Sequence, residues 1–227
     1  MPDNRFFTPE PLEKGTLISL DGDEMRHMAK VMRRGEDDRV ELVNGQGALA
    51  IATIKSVSRN SAELLIEELS LEKRPEREMI LAQALPQLPR LDLIIEKGTE
   101  LGATAFWLFP GERSEKKELS PNQKRRLELL AISALKQSGR LFLPSIEFKP
   151  PLTEWDKPST PLFYGAPEGP RLERPVGGAL FLVGPGGGLS DKEKSYLSET
   201  LKATGKSLNP NILRAETAAL CALSLLA

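Results

Sequence analysis

The sequence contains very little cysteine and histidine, the residues that build disulfides and zinc sites. Its 227 residues include one cysteine, Cys221, and one histidine, His27. A single cysteine excludes an internal disulfide framework and suits a reducing compartment. One histidine and one cysteine do not supply the ligands of an ordinary zinc site, and no acidic cluster has the spacing of metal ligands. A magnesium ion held by carboxylates stays an open alternative, and we predict no metal-binding residues.

Long hydrophobic runs are also missing. The first ten residues, MPDNRFFTPE, lack the apolar stretch of a signal peptide. The most apolar terminal run, Ala218–Ala227, is about half as long as a membrane-spanning helix requires. We therefore expect a cytoplasmic protein that is not embedded in a membrane.

Neither positive nor negative charge is in excess, since the net charge is −1. Phosphate binding depends on local positive charge rather than on the net charge, so the distribution matters more. A basic stretch occurs in the middle of the chain at Arg113, Lys116, Lys117, Lys124, Arg125 and Arg126. A nucleic-acid contact and a solvated helix face both explain this stretch.

The first part of the chain, residues 1–73, reads as short strands with one helix. Apolar residues at helical spacing between Met25 and Met32 predict a helix that Asp21 or Asp23 caps. Asn44-Gly45 is a hairpin signal between two of the strands. The predicted strands are Thr16–Leu20, Arg39–Val43, Ala48–Val57 and Ser61–Leu69. Short strands joined by tight turns are typical of a small barrel.

A polar, proline-containing stretch around Pro75 separates this part from residues 74–227, where strands and helices alternate. The predicted strands are Met79–Leu85, Thr104–Phe109, Leu162–Tyr164 and Ala179–Val183. The predicted helices are Leu91–Leu101, Pro121–Ser138 and Ser190–Ala203. This alternation predicts a parallel α/β sheet, and ligands of such sheets bind beyond the carboxyl ends of the strands.

A glycine-rich turn follows the last predicted strand. Gly184-Pro185-Gly186-Gly187-Gly188 leads into Ser190 and Glu193, the pattern of a capping box that starts a helix. Glycines allow positive φ and let a ligand approach bare backbone. The turn does not match a phosphate loop or a dinucleotide fingerprint. It therefore favours a ligand site over an ordinary strand-to-helix turn.

A second segment, LNPNILRAETAAL at residues 208–220, runs from a loop into a helix of small and apolar residues. Such a helix is buried in a core or between subunits. Arg214 and Glu216 are its only charges. Either they pair with each other structurally, or Arg214 faces a phosphate or base of a substrate.

These two blocks, VGPGGGLSDKE and LNPNILRAETAAL, resemble the signature blocks of the RsmE family, bacterial 16S rRNA uracil-N3 methyltransferases of the knotted SPOUT class. The resemblance covers nearly the whole chain. Further similar blocks are Arg26–Arg33 with Gly35, Val43–Gly45, Glu96–Gly102, Glu112–Ser114 and Gln137–Arg140. The sequence departs from the pattern at Gly186, where the family usually has Glu. It also departs at Asn209 and Asn211, which replace Gly and Arg.

The resemblance implies a PUA-like β-barrel over residues 1–73 that helps to hold rRNA. It also implies an α/β domain with a trefoil knot over residues 74–227. It further implies S-adenosylmethionine as cofactor, a uridine base of 16S rRNA in the small ribosomal subunit as substrate, and a homodimer. The cofactor pocket would be formed by three loops that follow strands. Its expected residues are Gly165, Val183, Gly184, Pro185, Gly187, Gly188, Leu208, Asn209 and Leu213.

Within this pocket the positive charge of Arg214 would favour the anionic form of the uracil base, or bind a phosphate. Glu216 is a candidate general base if it faces the pocket. We expect RNA contacts from Arg5, Arg33, Arg113 and Arg140. Two alternatives stay open: methylation of a ribose 2′-hydroxyl by the same class of fold, and a non-catalytic RNA-binding or assembly protein.

Overall fold

A computed structural model describes residues 4–227, so residues 1–3 of the predicted first domain lie outside the described part. The chain forms two compact units. The first contains residues up to Arg74 together with 132–143, and the second contains residues 75–131 and 144–227. The inclusion of 132–143 in the first unit was not expected from the sequence.

The first unit is built on a five-stranded sheet in the order β1-β3-β4-β5-β2. Its strands are β1 Arg5–Phe7, β2 Leu17–Asp21, β3 Arg39–Val43, β4 Ala48–Val57 and β5 Ser61–Leu71. All neighbours pair antiparallel except β1 and β3, which are parallel. The predicted strands are present, and the three-residue β1 was missed because so short a strand shows no alternation.

Local chemistry explains how this sheet turns and curls. In the β3–β4 hairpin Gly45 has a φ of +70° and Gly47 one of +97°. The Asn44 Oδ1 atom accepts a hydrogen bond from the Gln46 backbone N–H at 2.9 Å. The β4–β5 ladder is irregular in two places, between Ile51 and Ala52 and between Ile54 and Ser56. Such irregularities increase local twist, which curls the sheet around its apolar core.

The predicted helix of the first unit is short. Helix α1 covers Gly22–Arg26 and continues as one π-helical turn over His27–Val31. Met25 and Met28 are buried in the core of the sheet, as the apolar spacing predicts. Asp21 occupies the N-cap position, but its side chain makes no capping hydrogen bond. Asp21 thus holds the predicted N-cap position, without the side-chain hydrogen bond that a capping residue usually makes.

The segment 132–143 packs on the hairpin of the first unit. Leu135 and Leu141 form a small buried cluster with Val43. The backbone N–H of Gly47 donates to the Leu141 carbonyl at 2.9 Å, and that of Leu143 donates to the Gly45 carbonyl at 2.9 Å. These backbone bonds attach the segment to the hairpin like a short extra strand.

The second unit contains a six-stranded sheet in the order β11-β9-β10-β6-β7-β8, and every neighbouring pair is parallel. Its strands are β6 Met79–Ala84, β7 Ala105–Phe109, β8 Ser145–Phe148, β9 Leu162–Gly165, β10 Ala179–Val183 and β11 Thr204–Lys206. The predicted parallel α/β sheet is confirmed. Strands β8 and β11 were missed because each has at most two apolar residues.

The helices of the chain lie close to their predicted positions. They are α2 Leu88–Glu100, α3 Pro121–Ser138, α4 Asp191–Ser195 and α5 Ala215–Leu226, and Leu152–Glu154 forms a 3₁₀ turn. After α4 a π-helical turn covers Tyr196–Thr200. The sequence predicts a helix that reaches Ala203. The helical turns instead end at Thr200, because Lys202 has a left-handed φ of +55°.

The parallel sheet places the loops after its strands at one edge. Strands β6 and β10 at its centre are buried along their whole length, so their carboxyl ends open directly from the core. Ligand sites of parallel sheets form at this edge. Between residues 4 and 227, no helix has both the length and the apolar character needed to cross a membrane.

Candidate cofactor and RNA site

The glycine turn after β10 is shaped by contacts that exclude side chains. A Cβ atom on Gly184 would lie 2.9 Å from Leu189 Cγ, which is too close for any real side chain. Gly188 has a φ of +73°, a conformation that L-residues rarely adopt. The backbone of the turn is therefore bare over Gly186–Gly188, and these three glycines are exposed.

The start of α4 holds this turn in place. The Ser190 side chain accepts a hydrogen bond from the Glu193 backbone N–H, and the Glu193 carboxylate accepts one from the Ser190 backbone N–H at 2.8 Å. The predicted capping box is thus confirmed. Glu193 is only 1% exposed, and its other oxygen accepts a hydrogen bond from the Glu112 backbone N–H at 2.9 Å. One buried carboxylate therefore links the glycine turn to the loop after β7.

The loop between β11 and α5 closes the opposite side. The Asn209 Oδ1 atom accepts a hydrogen bond from the Asn211 backbone N–H at 2.9 Å, which makes a local Asx turn. Arg214 occupies the N-cap position of α5 and its side chain is exposed. The loop after β9 is joined to β11 because the Ala166 backbone N–H donates to the Lys206 carbonyl at 2.9 Å.

These three loops surround a cavity of about 790 Å³. All nine residues that the sequence analysis selected for cofactor binding line it, and so does Arg214. Val183, Leu189 and Leu208 contribute apolar surface, while the glycine turn contributes backbone. A pocket that combines apolar walls with a few polar groups is typical of sites for small organic cofactors. This cavity is the larger cavity of the two at this site.

The charged lining of the larger cavity is mostly positive. Its single acidic residue is Glu168, among the residues that the structure describes. Its basic residues are Arg90, Arg113, Lys194, Lys206 and Arg214. The excess of positive charge suits an anionic partner such as the phosphate backbone of RNA.

Glu216 does not line the cavity, although the sequence analysis named it as a candidate base. Its Oε1 atom lies 3.8 Å from Nε of Arg90, and its side chain is 15% exposed. The Oε2 atom is buried without a hydrogen-bond partner among the described residues. Arg90 itself does line the cavity, so Glu216 reaches the site through the guanidinium of Arg90.

A smaller cavity of about 220 Å³ adjoins the larger one. Both are lined by Arg90, Arg113 and the segment Pro185–Gly187. The smaller cavity is further lined by the loop Leu85–Gln87 after β6 and by Ser114 and Glu115 after β7. The two cavities thus meet at bare glycine backbone between two arginines.

Two families of known proteins match most of the chain. A family described as the RNA methyltransferase domain matches residues 72–227, and one described as the RNA methyltransferase PUA domain matches residues 20–67. The chain is 31% identical to ribosomal RNA small subunit methyltransferase E of Bacillus subtilis, over 97% of this chain and 94% of that protein. It is 29% identical to the protein of the same name from Aquifex aeolicus, over 97% of both chains.

The chain belongs to the RsmE family of RNA methyltransferases. Its fold is similar to the crystal structure of ribosomal RNA small subunit methyltransferase E from Neisseria gonorrhoeae bound to S-adenosylmethionine, with a TM-score of 0.85 and 29% identity. That similarity covers 97% of this chain and 94% of the other. The expected family is therefore confirmed, and so is the expected combination of a PUA domain with a parallel α/β domain.

The four arginines expected to contact RNA lie in different environments. Arg113 lines both cavities, and its guanidinium donates to the Gly187 carbonyl at 3.2 Å. Arg33 is exposed and has a left-handed φ of +54°. Arg140 is partly buried, and burial lowers the pKa of its guanidinium from the usual value.

The side chain of Arg5 is largely buried. Its side chain is 8% exposed, and its Nε atom donates to the Glu41 carboxylate at 2.8 Å. The structure therefore gives Arg5 a role inside the first unit. An RNA contact by its guanidinium would require that ion pair to open.

Sequence reasoning missed three basic residues of this site, Arg90, Lys194 and Lys206, and Arg90 is the one that lines both cavities. It stands in the first turn of the amphipathic helix α2, where a charged residue reads as part of a solvated face. A usable signal was its position shortly after β6, since the first helical turn after a parallel strand returns to the ligand edge. Within residues 4–227, no three side chains of His, Cys, Asp or Glu lie together in a way that could hold a metal ion.

Proposed function

We propose that the chain transfers the methyl group of S-adenosylmethionine to N3 of a uridine base in 16S rRNA. The observation that carries the proposal is the assembly of all nine expected cofactor residues around one cavity at the ligand edge of the sheet. Family membership and the S-adenosylmethionine-bound relative support the same activity.

The residues present fit the cofactor. The glycines of the turn at Gly184–Gly188 leave room for a ligand against backbone, and Val183, Leu189 and Leu208 offer apolar surface for an adenine ring. The same loops would hold the methionine part. When bound, S-adenosylmethionine supplies an electrophilic methyl group on a sulfonium sulfur.

The chain's own residues then position the acceptor and prepare it. N3 of uracil carries a weakly acidic proton that must leave at or before methyl transfer. Arg214 lines the cavity at the start of α5, and no hydrogen bond or ion pair engages its guanidinium in the described part of the chain. Its positive charge favours the anionic base. Glu216 orients Arg90 and, in this proposal, acts as a positioning residue rather than as the base.

The activity is tested with small ribosomal subunits from a strain that lacks this methylation. After incubation with the protein and labelled S-adenosylmethionine, the rRNA is digested and the labelled nucleoside is identified. N3-methyluridine is the expected product. 2′-O-methyluridine would show the ribose methylation that the sequence leaves open, and any other product would overturn the base assignment.

Cofactor binding is tested separately by calorimetry. A complex with S-adenosylmethionine is expected without RNA present. Absence of binding at millimolar ligand, together with retained rRNA binding, would instead indicate a non-catalytic RNA-binding protein. The departures at Gly186, Asn209 and Asn211 make this control necessary, because all three residues line the larger cavity.

We also propose a homodimer that acts on the small subunit in the cytoplasm. Leu220, Cys221 and Leu225 on α5 stay partly exposed, which leaves apolar surface on this helix for a second copy. Light scattering of the purified protein tests the dimer, and a monomer across the working concentration range would contradict it. The trefoil knot and the cytoplasmic location stay predictions.

A further inference from the structure

The smaller cavity is not needed for the cofactor loops, yet it adjoins them. Gln87, Ser114 and Glu115 line it and do not line the larger cavity. Gly186 and Gly187 line both, so no side chain beyond the glycine backbone separates the two at that point. A group bound in the smaller cavity would therefore lie next to whatever occupies the larger one.

Two guanidinium groups flank this junction with most of their donors unused. The Arg90 guanidinium has an ion pair with Glu216 at 3.8 Å and makes no hydrogen bond in the part of the chain that the structure describes. Arg113 donates from Nη1 to the Gly187 carbonyl. Because a guanidinium carries five N–H donors in a planar fork, both arginines retain donors for a phosphate or carboxylate.

The wall of the smaller cavity holds a third unused group. Ser114 is 7% exposed, and its Oγ atom is buried with no hydrogen-bond partner within residues 4–227. A buried hydroxyl without a partner is unfavourable, so Ser114 would gain a hydrogen bond if its side chain turned toward a ligand in the smaller cavity. Gln87 on the facing loop donates to the Glu115 carboxylate at 2.7 Å.

The two molecules that the site has to bind, S-adenosylmethionine and RNA, differ in net charge. This difference indicates which of them the arginine pair binds. S-adenosylmethionine carries a sulfonium and an ammonium group against one carboxylate, so a pair of arginines does not suit its net positive charge. Single-stranded RNA presents one negative phosphate for each nucleotide. Arginine pairs bind phosphate oxygens with favourable bidentate geometry.

We propose that the smaller cavity binds a phosphodiester of the acceptor RNA strand between the guanidinium groups of Arg90 and Arg113, with the Ser114 hydroxyl as a further donor. This inference rests on the proposed RNA methylation. It places the target nucleotide beside Gly186 and Gly187, across the bare turn from the cofactor. Gly186 is a direct neighbour of the Arg90 guanidinium at this junction, because a Cβ atom there would lie 3.9 Å from Nη1 of Arg90, an ordinary van der Waals contact.

The test measures binding of deproteinised 16S rRNA as a function of salt, and binding of S-adenosylmethionine alone by calorimetry. Arg90→Ala and Arg113→Ala should each weaken RNA binding about tenfold, because a charge-assisted contact is lost. The slope of log Kobs against log salt should become shallower by about 0.7 in each variant, as expected for one lost phosphate contact. Affinity for S-adenosylmethionine should fall by less than affinity for RNA, although both arginines also line the larger cavity.

Substitutions at Gln87 test the smaller cavity without altering the residues that line the larger one. Gln87→Glu should weaken RNA binding and Gln87→Lys should strengthen it, each with a slope change of about 0.7 in the corresponding direction. These variants also keep the inference testable if Arg90→Ala fails to fold once Glu216 has lost its ion pair. Arg174→Ala is the matched control, because Arg174 is exposed and lines neither cavity.

Unchanged RNA affinity and salt slope in Arg90→Ala and Arg113→Ala would overturn the inference. So would a loss of S-adenosylmethionine affinity as large as the loss of RNA affinity, since the arginines would then bind the cofactor carboxylate. If the wild type methylates rRNA and these variants bind RNA as tightly as the wild type, the phosphate site is refuted and the proposed function is not. Absence of any methylation by the wild type would refute the proposed function instead.

Discussion

Two walls of the site differ in the chemistry they use. The segments 184–188 and 208–213 line the larger cavity chiefly with backbone and small or apolar side chains, whereas Arg90, Arg113 and Ser114 around the smaller cavity present hydrogen-bond donors. A backbone wall recognises shape and excludes side chains, so it suits a cofactor of constant structure. A wall of charged donors tolerates a varied polymer and binds its constant feature, the phosphate.

The comparison also shows why one wall was visible in the sequence. Glycine and Asn-Pro are rare enough to mark a turn wherever they cluster, and Gly184–Gly188 and Leu208–Asn211 were found for this reason. Arginine is common on helix surfaces. Arg90 acquires its position only because helix α2 starts at the same edge of the sheet as the glycine turn.

The largest effect is expected at Arg214, which stands on the cofactor side but is proposed to act on the acceptor. Arg214→Ala should lower the methyl-transfer rate about a hundredfold, because a positive charge that stabilises the anionic base is lost. Single-turnover measurement with saturating rRNA reads this rate. Arg214→Lys should recover part of the loss, and a rate for Arg214→Ala close to wild type would refute the assignment.

The next effect is expected at Glu193, whose carboxylate joins the start of α4 to the loop after β7. Glu193→Ala removes the carboxylate that accepts from the backbone N–H groups of Ser190 and Glu112. The free energy of unfolding should fall by about 2–3 kcal/mol, because two buried donors lose their partner. Urea denaturation measures the change. Exposed Glu199 on the turn after α4 offers a matched control, and Glu199→Ala should leave the midpoint in place.

A further effect separates the backbone wall from the charged wall. Gly188→Val forces a β-branched residue into a φ of +73° and should cost about 1–3 kcal/mol at the turn. We expect weaker binding of S-adenosylmethionine with an unchanged salt slope of RNA binding. Gly177→Ala is the control, since a Cβ atom there meets no neighbour within 4 Å. A change in the RNA salt slope instead of cofactor affinity would contradict the division of labour between the walls.

The smallest effect is expected at the helix cap. Ser190→Ala removes one half of the capping box and should destabilise the protein by about 1 kcal/mol. The Glu193 carboxylate keeps its bonds to the Ser190 and Glu112 backbone, so the turn should stay in place and cofactor affinity should change little. Thermal denaturation and calorimetry together measure both quantities. A cofactor loss larger than the stability loss would show that the hydroxyl itself contacts the ligand.

Much of the fold was predictable because its elements carry local signals. Ala48–Val57 and Ala179–Val183 were predicted with the bounds observed, since continuous or alternating apolar runs define such strands. Strands β1, β8 and β11 were not, because three or four residues hold too little pattern. Their strand conformation depends on the neighbour that each one pairs with.

The sequence by itself determined the alternation of strands and helices and the glycine turn with its capping box, because these are local properties of backbone and spacing. The residues proposed to bind the cofactor followed from the resemblance to the family. Only the tertiary structure decided that Arg90 meets Arg113 beside Gly186, that Glu216 faces Arg90 rather than the cavity, and that Arg5 is held by Glu41. These pairs are separated by 23 or more residues along the chain. Long side chains carry no local signal of the partner they reach, so their roles follow from packing alone.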